Sequence, residues 1–305
     1  MTGAGVMNQS NRANHRDEVG FTRSMRTRRT VTNTLIYVLL TCLSIVWLTP
    51  VAWLILSSLR GESTNMYTEY VVPKQFTLSN YIRLFTETKL FSFPRWYMNT
   101  LLVAVCSCVI TTFLTLMVAY TYSRLRFRWR RRLMNVSLVL GMFPGFMSMI
   151  AIYHFLKSIG LDQTLAALVI VYSGGAALGY YVAKGFFDTV PKALDEAALI
   201  DGCTRNGIFW KIVLPTSLPI VAYTALTAFI APWVDFIFVS VIMKDNYANY
   251  TVAKGLYMMI DREHINDFYT RFCAGAVLVA IPITALFIKM QKYYVSGVTG
   301  GSVKG

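Results

Sequence analysis

Charged side chains are scarce in this sequence: Asp, Glu, Lys and Arg make up 14% of 305 residues, against roughly 25% in soluble domains. A water-soluble enzyme of this length would need far more charge to wet its surface, and that class is excluded. Histidine is rarer still. The 3 copies, His15, His154 and His264, stand too far apart to form an H-x-x-x-H ligand set. Of the 5 cysteines, Cys42, Cys106, Cys108 and Cys273 lie in apolar stretches and Cys203 lies in a loop. A disulfide framework would put them in outer loops. Cys106 and Cys108 face different ways on a helix and make a poor metal pair, so small apolar filler is their expected use. There is no G-x-S-x-G motif, so nothing argues for hydrolase chemistry. There is also no Gly-Lys pair, which excludes a G-x-x-x-x-G-K-[ST] phosphate loop.

What the chain does have is apolar length. Hydrophobic residues make up 55% of it, and the mean hydropathy is +0.48. A membrane-spanning helix needs about 20 apolar residues. Six stretches qualify, at about 34–59, 97–122, 133–156, 165–187, 217–243 and 272–290. All are too long for buried strands, and none alternates as a membrane β-barrel does. The expected fold is an all-α membrane protein of six transmembrane helices. It divides into a basic N-terminal segment 1–33, a six-helix domain 34–290 and a tail 291–305. The first stretch exceeds a signal-peptide apolar core and lacks an A-x-A site after it, so it is read as a retained anchor.

Charge sets the expected orientation. The balance is 29 Lys+Arg against 15 Asp+Glu. Arg12, Arg16, Arg23, Arg26, Arg28 and Arg29 precede the first stretch. Arg124, Arg126, Arg128, Arg130, Arg131 and Arg132 follow the second, with no acid among them. Lys292 and Lys304 sit in the tail, and only Lys157 lies between the third and fourth stretches. Basic residues collect at cytoplasmic ends, facing anionic lipid and the membrane potential. Both termini are therefore expected on the cytoplasmic side of a cell membrane, consistent with an even number of spans; nucleic acid is not an expected partner. Trp96, Tyr97, Tyr120, Tyr122, Tyr293 and Tyr294 mark the interfaces, where aromatic rings are buried and their polar atoms stay wet.

Two outer segments, 60–95 and 244–271, are large enough either to meet an external partner or merely to cover the bundle. Within the first, 78–85 reads as a short amphipathic helix capped by Ser79. Asp235 is the one ionisable residue well inside a span. About 18 residues past Ser217, at 1.5 Å each, it stands roughly 27 Å from the inner side. It is either a polar wall residue of a solute path or a locally paired interfacial carboxylate, and the second reading is preferred. With Trp233 and Tyr172 it forms the set whose chemistry suits sugar rings and hydroxyls, although packing is the ordinary use of such aromatics. Pro232 nearby can kink the fifth span. Gly174, Gly175 and Gly179 suggest close helix contact.

The informative loop is 188–215. Thr189 can cap a helix, Pro191 fits its first turn, Asp195 and Glu196 complement the positive helix end, and Gly202 terminates it. Leu194, Ala197, Ala198 and Asp201 then share one face by spacing. A second helical piece, about 205–213, leads into Leu214 and Pro215. The result is either an ordered turn or a knob that seats in another protein's groove, with Glu196 offering its charge to a basic partner.

This loop resembles that of permeases of ATP-binding-cassette importers. The pattern E-A-A-x3-G-x9-I-x-L-P is met at Glu196, Ala197, Ala198, Gly202, Ile212, Leu214 and Pro215. Asn99-Thr100-Leu101, Ser123-Arg124-Leu125-Arg126-Phe127, Met142-Phe143-Pro144, the 78–85 segment and the glycine-rich ending are similar to the carbohydrate branch, in particular to the smaller permease of maltose/maltodextrin-type systems. The resemblance implies that the chain is not itself an enzyme and binds no cofactor. ATP and Mg²⁺ would be used by two cytoplasmic ATPase subunits, beside a second homologous permease and an external sugar-binding protein. It also implies that the Glu196 helix couples to the ATPase. The alternative class is a stand-alone carrier driven by an ion gradient, which would usually place several ionisable groups at mid-membrane.

Overall fold

The structure is a computed structural model. It describes the backbone of residues 4–62, 65–66 and 70–302, and the side chains of these except residues 4–28, 146, 177 and 294–302. The expected terminal segments 1–33 and 291–305 therefore fall mostly outside the described side chains. The chain divides into two compact units, Met1–Ile55 and Leu56–Gly305. Most of the first is helix α1 (Ala4–Ser58), whose part Arg29–Ser58 is 30 residues of mean hydropathy 2.2. At 1.5 Å per residue this part is about 45 Å long, enough to cross a bilayer core.

The second unit is organised on α3 (Phe93–Arg124), 32 residues and roughly 48 Å long. Around it lie α2 (Ser79–Thr86), α4 (Arg130–Gly141), α5 (Gly145–Ser158), α6 (Leu165–Gly174), α7 (Tyr180–Thr189), α8 (Lys192–Ile200) and α9 (Arg205–Ile208). The chain continues through α10 (Leu214–Thr216), α11 (Leu218–Val234), α12 (Ile237–Met243), α13 (Val252–Met259) and α14 (Ile265–Ser302). Helix α3 packs against α6, α7 and α11, and α14 packs against α2, α11 and α13. No strand occurs among the described residues; one isolated bridge joins Arg60 and Phe76.

Three of the expected spans are single helices long and apolar enough to cross a membrane: Arg29–Ser58, Phe93–Arg124 and Ile265–Tyr293. The other three are broken, each for a local reason. The third divides into α4 and α5 at Pro144, which has no N–H to donate and pushes Phe143 away from helical geometry. The fourth divides into α6 and α7 around Gly174, Gly175 and Gly179, with one 3-10 turn, Gly175–Ala177, between them. In the fifth, Pro232 is accommodated inside α11; the helix stops at Asp235 instead, whose Oδ1 accepts the N–H of Phe238 (2.9 Å) and opens α12. Before α11 the chain bends by 85° between Arg205–Thr216 and Leu218–Val234.

Each end of α3 carries its own core. At the N-terminal end, Phe91, Phe93, Trp96 and Val103 pack with Val252, Leu256, Met259 and Ala274. Trp96 Nε1 donates to the Tyr247 carbonyl (2.9 Å), and Asn99 Nδ2 donates to those of Ala248 (2.9 Å) and Tyr250 (3.0 Å). Thr100 Oγ1 accepts the N–H of Val252 (2.7 Å). Asn80 in α2 donates to the carbonyls of Ser58 (3.0 Å) and Arg60 (2.8 Å) and accepts from Thr270 (3.1 Å). Ser79 does not cap α2 with its hydroxyl: the preceding Thr77 Oγ1 takes the Ser79 N–H (3.1 Å). At the other end of α3, Leu116, Ala119, Tyr120 and Tyr122 pack with Tyr180, Phe187, Ala198, Ile208, Phe209 and Val213.

Two predictions follow from these contacts. A Cβ on Gly255 would lie 1.9 Å from the Trp96 ring, so Gly255→Ala forces the helices apart. It should cost about 1–3 kcal/mol and lower the melting temperature of the detergent-solubilised protein; an unchanged melting temperature would contradict this packing. Glu62 fastens the two ends of a loop by accepting the N–H groups of Lys74 (2.8 Å) and Gln75 (3.1 Å) beside Arg60. Desolvation pushes the carboxyl up, but these donors and the Arg60 charge outweigh it and bring its pKa from 4.5 down to about 2. A depressed carboxylate stabilises the folded loop above its unfolded pKa and loses that contribution as pH falls through the folded value. Protease protection of the loop should therefore weaken between pH 4.5 and about 2, and Glu62→Gln should abolish that pH dependence.

Candidate functional site

The loop that stood out in the sequence folds into an elbow at the C-terminal end of α3. Pro191 begins the turn into α8 with extended ψ, and Asp195 lies in the first turn of that helix, where a negative charge is favoured. Thr189 does not cap α8; its hydroxyl donates back to the Phe186 carbonyl (2.7 Å). The stop falls at Gly202, as its residue type suggests: φ is +80°, and the N–H groups of Asp201, Gly202 and Cys203 close onto the carbonyls of Ala197, Leu199 and Ala198. Thr204 then caps α9 by accepting the Gly207 N–H (3.1 Å). The chain continues as one π-helical turn, Phe209–Val213, into Leu214 and Pro215.

The side chains of α8 divide between two faces. Leu194, Glu196, Ala197, Leu199, Ile200, Asp201 and Gly202 are exposed, Ile200 to 87%. Ala198 does not join them: only 8% exposed, it lies in the core that holds Tyr120, Ile208 and Phe209. It seats the helix on its own chain, so the outward face is Leu194, Glu196, Ala197 and Asp201 with the exposed Leu199 and Ile200. Ile212 and Leu214 are half-buried at the next bend and Pro215 is exposed.

The elbow is joined to α3 by polar bonds. Arg124, the last residue of α3, places Nε 2.8 Å from Asp195 Oδ2, with the two side chains only 4% and 15% exposed. Its Nη2 donates to the Val190 carbonyl (2.9 Å). The ion pair is off-axis for a hydrogen bond, so Nε and Nη1 of Arg124 and Oδ1 of Asp195 are buried without hydrogen-bond partners among the described residues. One turn earlier, the Tyr120 hydroxyl donates to the Arg205 carbonyl (2.9 Å). Ser123 donates to Asp188 Oδ1 (2.6 Å), while Lys184 holds Asp188 Oδ2 (2.6 Å). Between these elements lies a cleft of about 830 Å³ lined by Arg124, Arg126, Arg130, Lys192 and Arg205 and by Asp188, Asp195 and Glu196. Five cations and three anions share it, so three arginines of the cluster after the second apolar stretch, Arg124, Arg126 and Arg130, line the elbow. Sequence reasoning missed Arg124 and Asp195 as a pair because 71 positions separate them; the runs on either side were the only signal.

The other candidate set is only partly brought together. The Tyr172 hydroxyl donates to Asp235 Oδ2 (2.9 Å), whose other oxygen takes the Phe238 N–H. The carboxylate is thus paired within the chain. Trp233 is 2% exposed and packs edge-on to Tyr97 with ring centroids 5.2 Å apart, a core position. The glycines of the fourth span do not bring helices together among the described residues. An added Cβ on Gly174 or Gly175 would meet nothing within 4 Å.

A long apolar helix with broken helices packed on it and a bonded elbow at one end describes a membrane transport subunit. Residues 111–299 match the family described as the binding-protein-dependent transport system inner membrane component, and the chain belongs to that family. It is 36% identical over 271 residues to the maltodextrin transport system permease protein MdxG of Bacillus subtilis (strain 168), covering 88% of this chain and 95% of that one. It is 32% identical over 282 residues to the galactooligosaccharides transport system permease protein GanQ of the same organism, covering 92% and 99%. In fold it is similar to a bacterial ABC transporter involved in the import of the acidic polysaccharide alginate, with a TM-score of 0.71 at 22% identity over 87% of this chain and 96% of that one. The chain is a permease subunit, a membrane protein of the non-catalytic part of such systems.

Removing one partner of the Arg124–Asp195 pair should leave a buried charge and destabilise the elbow by about 3 kcal/mol. Arg124→Met with Asp195→Leu should recover most of that loss, because the apolar pair leaves no orphan charge. Thermal unfolding of the four variants measures it; additive losses would contradict a direct pair.

Proposed function

We propose that this chain is one of two permeases of an ATP-driven oligosaccharide importer and carries neutral sugars of the maltodextrin or galacto-oligosaccharide kind. Six transmembrane passages, three of them broken, form its share of the path, with both termini and the α8 elbow on the cytoplasmic side. Two ATPase subunits using ATP and Mg²⁺ bind at the elbow. An external sugar-binding protein delivers solute at the opposite end of α3. The observation that carries this reading is the bonding of the elbow to α3. A helix exposed on one face and joined to a 32-residue spanning helix on the other can pass displacement along that helix. In this role Glu196, Leu194, Ala197 and Asp201 present the docking surface, Ala198 seats α8 on the bundle, and Gly202 allows the reversal of direction. Ile212, Leu214 and Pro215 turn the chain back into the membrane. Closure of the ATPase pair then moves α8, and with it α3, between inward- and outward-facing states. The family's description supports transport with a binding protein, the relatives' names support oligosaccharide transport by a permease, and neither supports a stand-alone ion-driven carrier.

Reconstituted transport tests this directly. Glu196→Lys should reduce ATP-dependent uptake of maltotriose or a galacto-trisaccharide by at least tenfold while the subunit still inserts and assembles with its permease partner. Gly202→Val, strained at φ +80°, should do the same. Normal uptake in both variants, or uptake sustained by a proton gradient without the ATPase, would refute the proposal.

A further inference from the structure

A second cleft, of about 390 Å³, opens between α3, the broken fourth span and α11. Its volume falls within the usual range of small-molecule sites. Six hydroxyl-bearing residues line it: Thr111, Thr115, Tyr172, Tyr223, Thr224 and Thr227. Among the described residues, no Lys, Arg, His, Asp or Glu does. The glycines that interrupt the fourth span, Gly175 and Gly179, form part of its wall and are exposed. Irregular backbone at membrane depth is tolerated where it is buried in protein or lines a water-filled cavity, and the cleft supplies the cavity.

Five of these hydroxyl protons, those of Thr111, Thr115, Tyr172, Thr224 and Thr227, are already committed. Thr111 and Thr115 donate across to the carbonyls of Tyr172 (3.4 Å) and Ala176 (3.3 Å) at the break. Thr224 and Thr227 donate to the carbonyls of Ile220 (2.8 Å) and Tyr223 (3.0 Å) within α11. Tyr172 gives its proton to Asp235. Each of these oxygens keeps lone pairs and no free proton, so the wall accepts hydrogen bonds and offers few. A neutral sugar, rich in O–H donors and with an apolar ring face for the tyrosines, satisfies such a wall. A carboxylated sugar, which needs donors or cations, does not.

We propose that this cleft is a sugar subsite on this chain, built from acceptor oxygens and selective for neutral over acidic oligosaccharides. It rests on the transport reading and adds to it a place and a selectivity. The test is equilibrium binding of radiolabelled maltotriose, and of a galacto-trisaccharide, to the assembled permease–ATPase complex in nanodiscs without the binding protein. Thr224→Val with Thr227→Val keeps the side-chain shape and should weaken binding of the preferred trisaccharide five- to tenfold. Thr227→Lys should introduce binding of trigalacturonate, which the unmodified complex should not bind. As a check on access, Thr227→Cys should react with a membrane-impermeant thiol reagent and be protected by the trisaccharide. Unchanged affinity in the valine variant, absence of trisaccharide binding by the unmodified complex, or a Thr227→Cys thiol covered by another helix or by lipid would each overturn the subsite. ATP-dependent uptake by the same unmodified complex keeps the transport reading standing if the subsite fails.

Discussion

A buried ion pair governs how this molecule can work. Arg124 closes the 32-residue helix α3 and meets Asp195 of α8 at 2.8 Å with little water around either side chain. Burying such a pair is not the cheapest way to stabilise a protein, since apolar residues of similar size often do as well. What it provides is position. Together with the bonds from Arg124 to Val190, Tyr120 to Arg205 and Ser123 to Asp188, it fixes both arms of the elbow to the end of α3. These bonds tie the segment that carries the exposed face of α8 to the end of α3.

The opposite end of α3 is built in a complementary way. Trp96, Asn99 and Thr100 hold segment 247–252 through its backbone, and Gly255 and Gly275 let α13 and α14 close on the Trp96 and Phe93 rings. These bonds join the far end of α3 to the segments expected to face the binding protein. One helix thus links two bonded ends, with the hydroxyl-lined cleft and the interrupted fourth span beside its middle. Where α3 shifts, the walls of that cleft shift with it, because Thr111 and Thr115 bridge α3 to the break.

Much of this was legible in the residues. Composition and apolar length indicate an all-helical membrane protein, and Glu196 to Pro215 mark the elbow and its family. The breaks were not legible in full, for a physical reason. Hydropathy averages over a window, and Gly174, Gly175, Gly179 and Pro144 leave an apolar stretch apolar while removing the helix geometry. Asp235 was read as locally paired, and it is, but one of its two partners is a Tyr172 hydroxyl 63 residues away, which its own stretch of sequence does not show. The helical face Leu194, Ala197, Ala198 and Asp201 came from spacing alone, which cannot tell that Ala198 lies in the core that holds Tyr120 and Phe209 on its own chain. The glycines suggested close helix contact, and the described helices instead leave Gly174 and Gly175 without a close neighbour and Gly175 and Gly179 facing a cleft.

The central claim is that the elbow and α3 move as one body when the transporter turns over. Pulsed electron-electron resonance on the assembled complex measures it most directly, with one spin label at Leu199 on α8 and another at Met117 on α3. The distance between them should stay within about 2 Å across apo, ATP-bound and vanadate-trapped states, as expected for a rigid-body shift. A change of several ångströms between those states would show the elbow hinging free of α3 and would contradict the account.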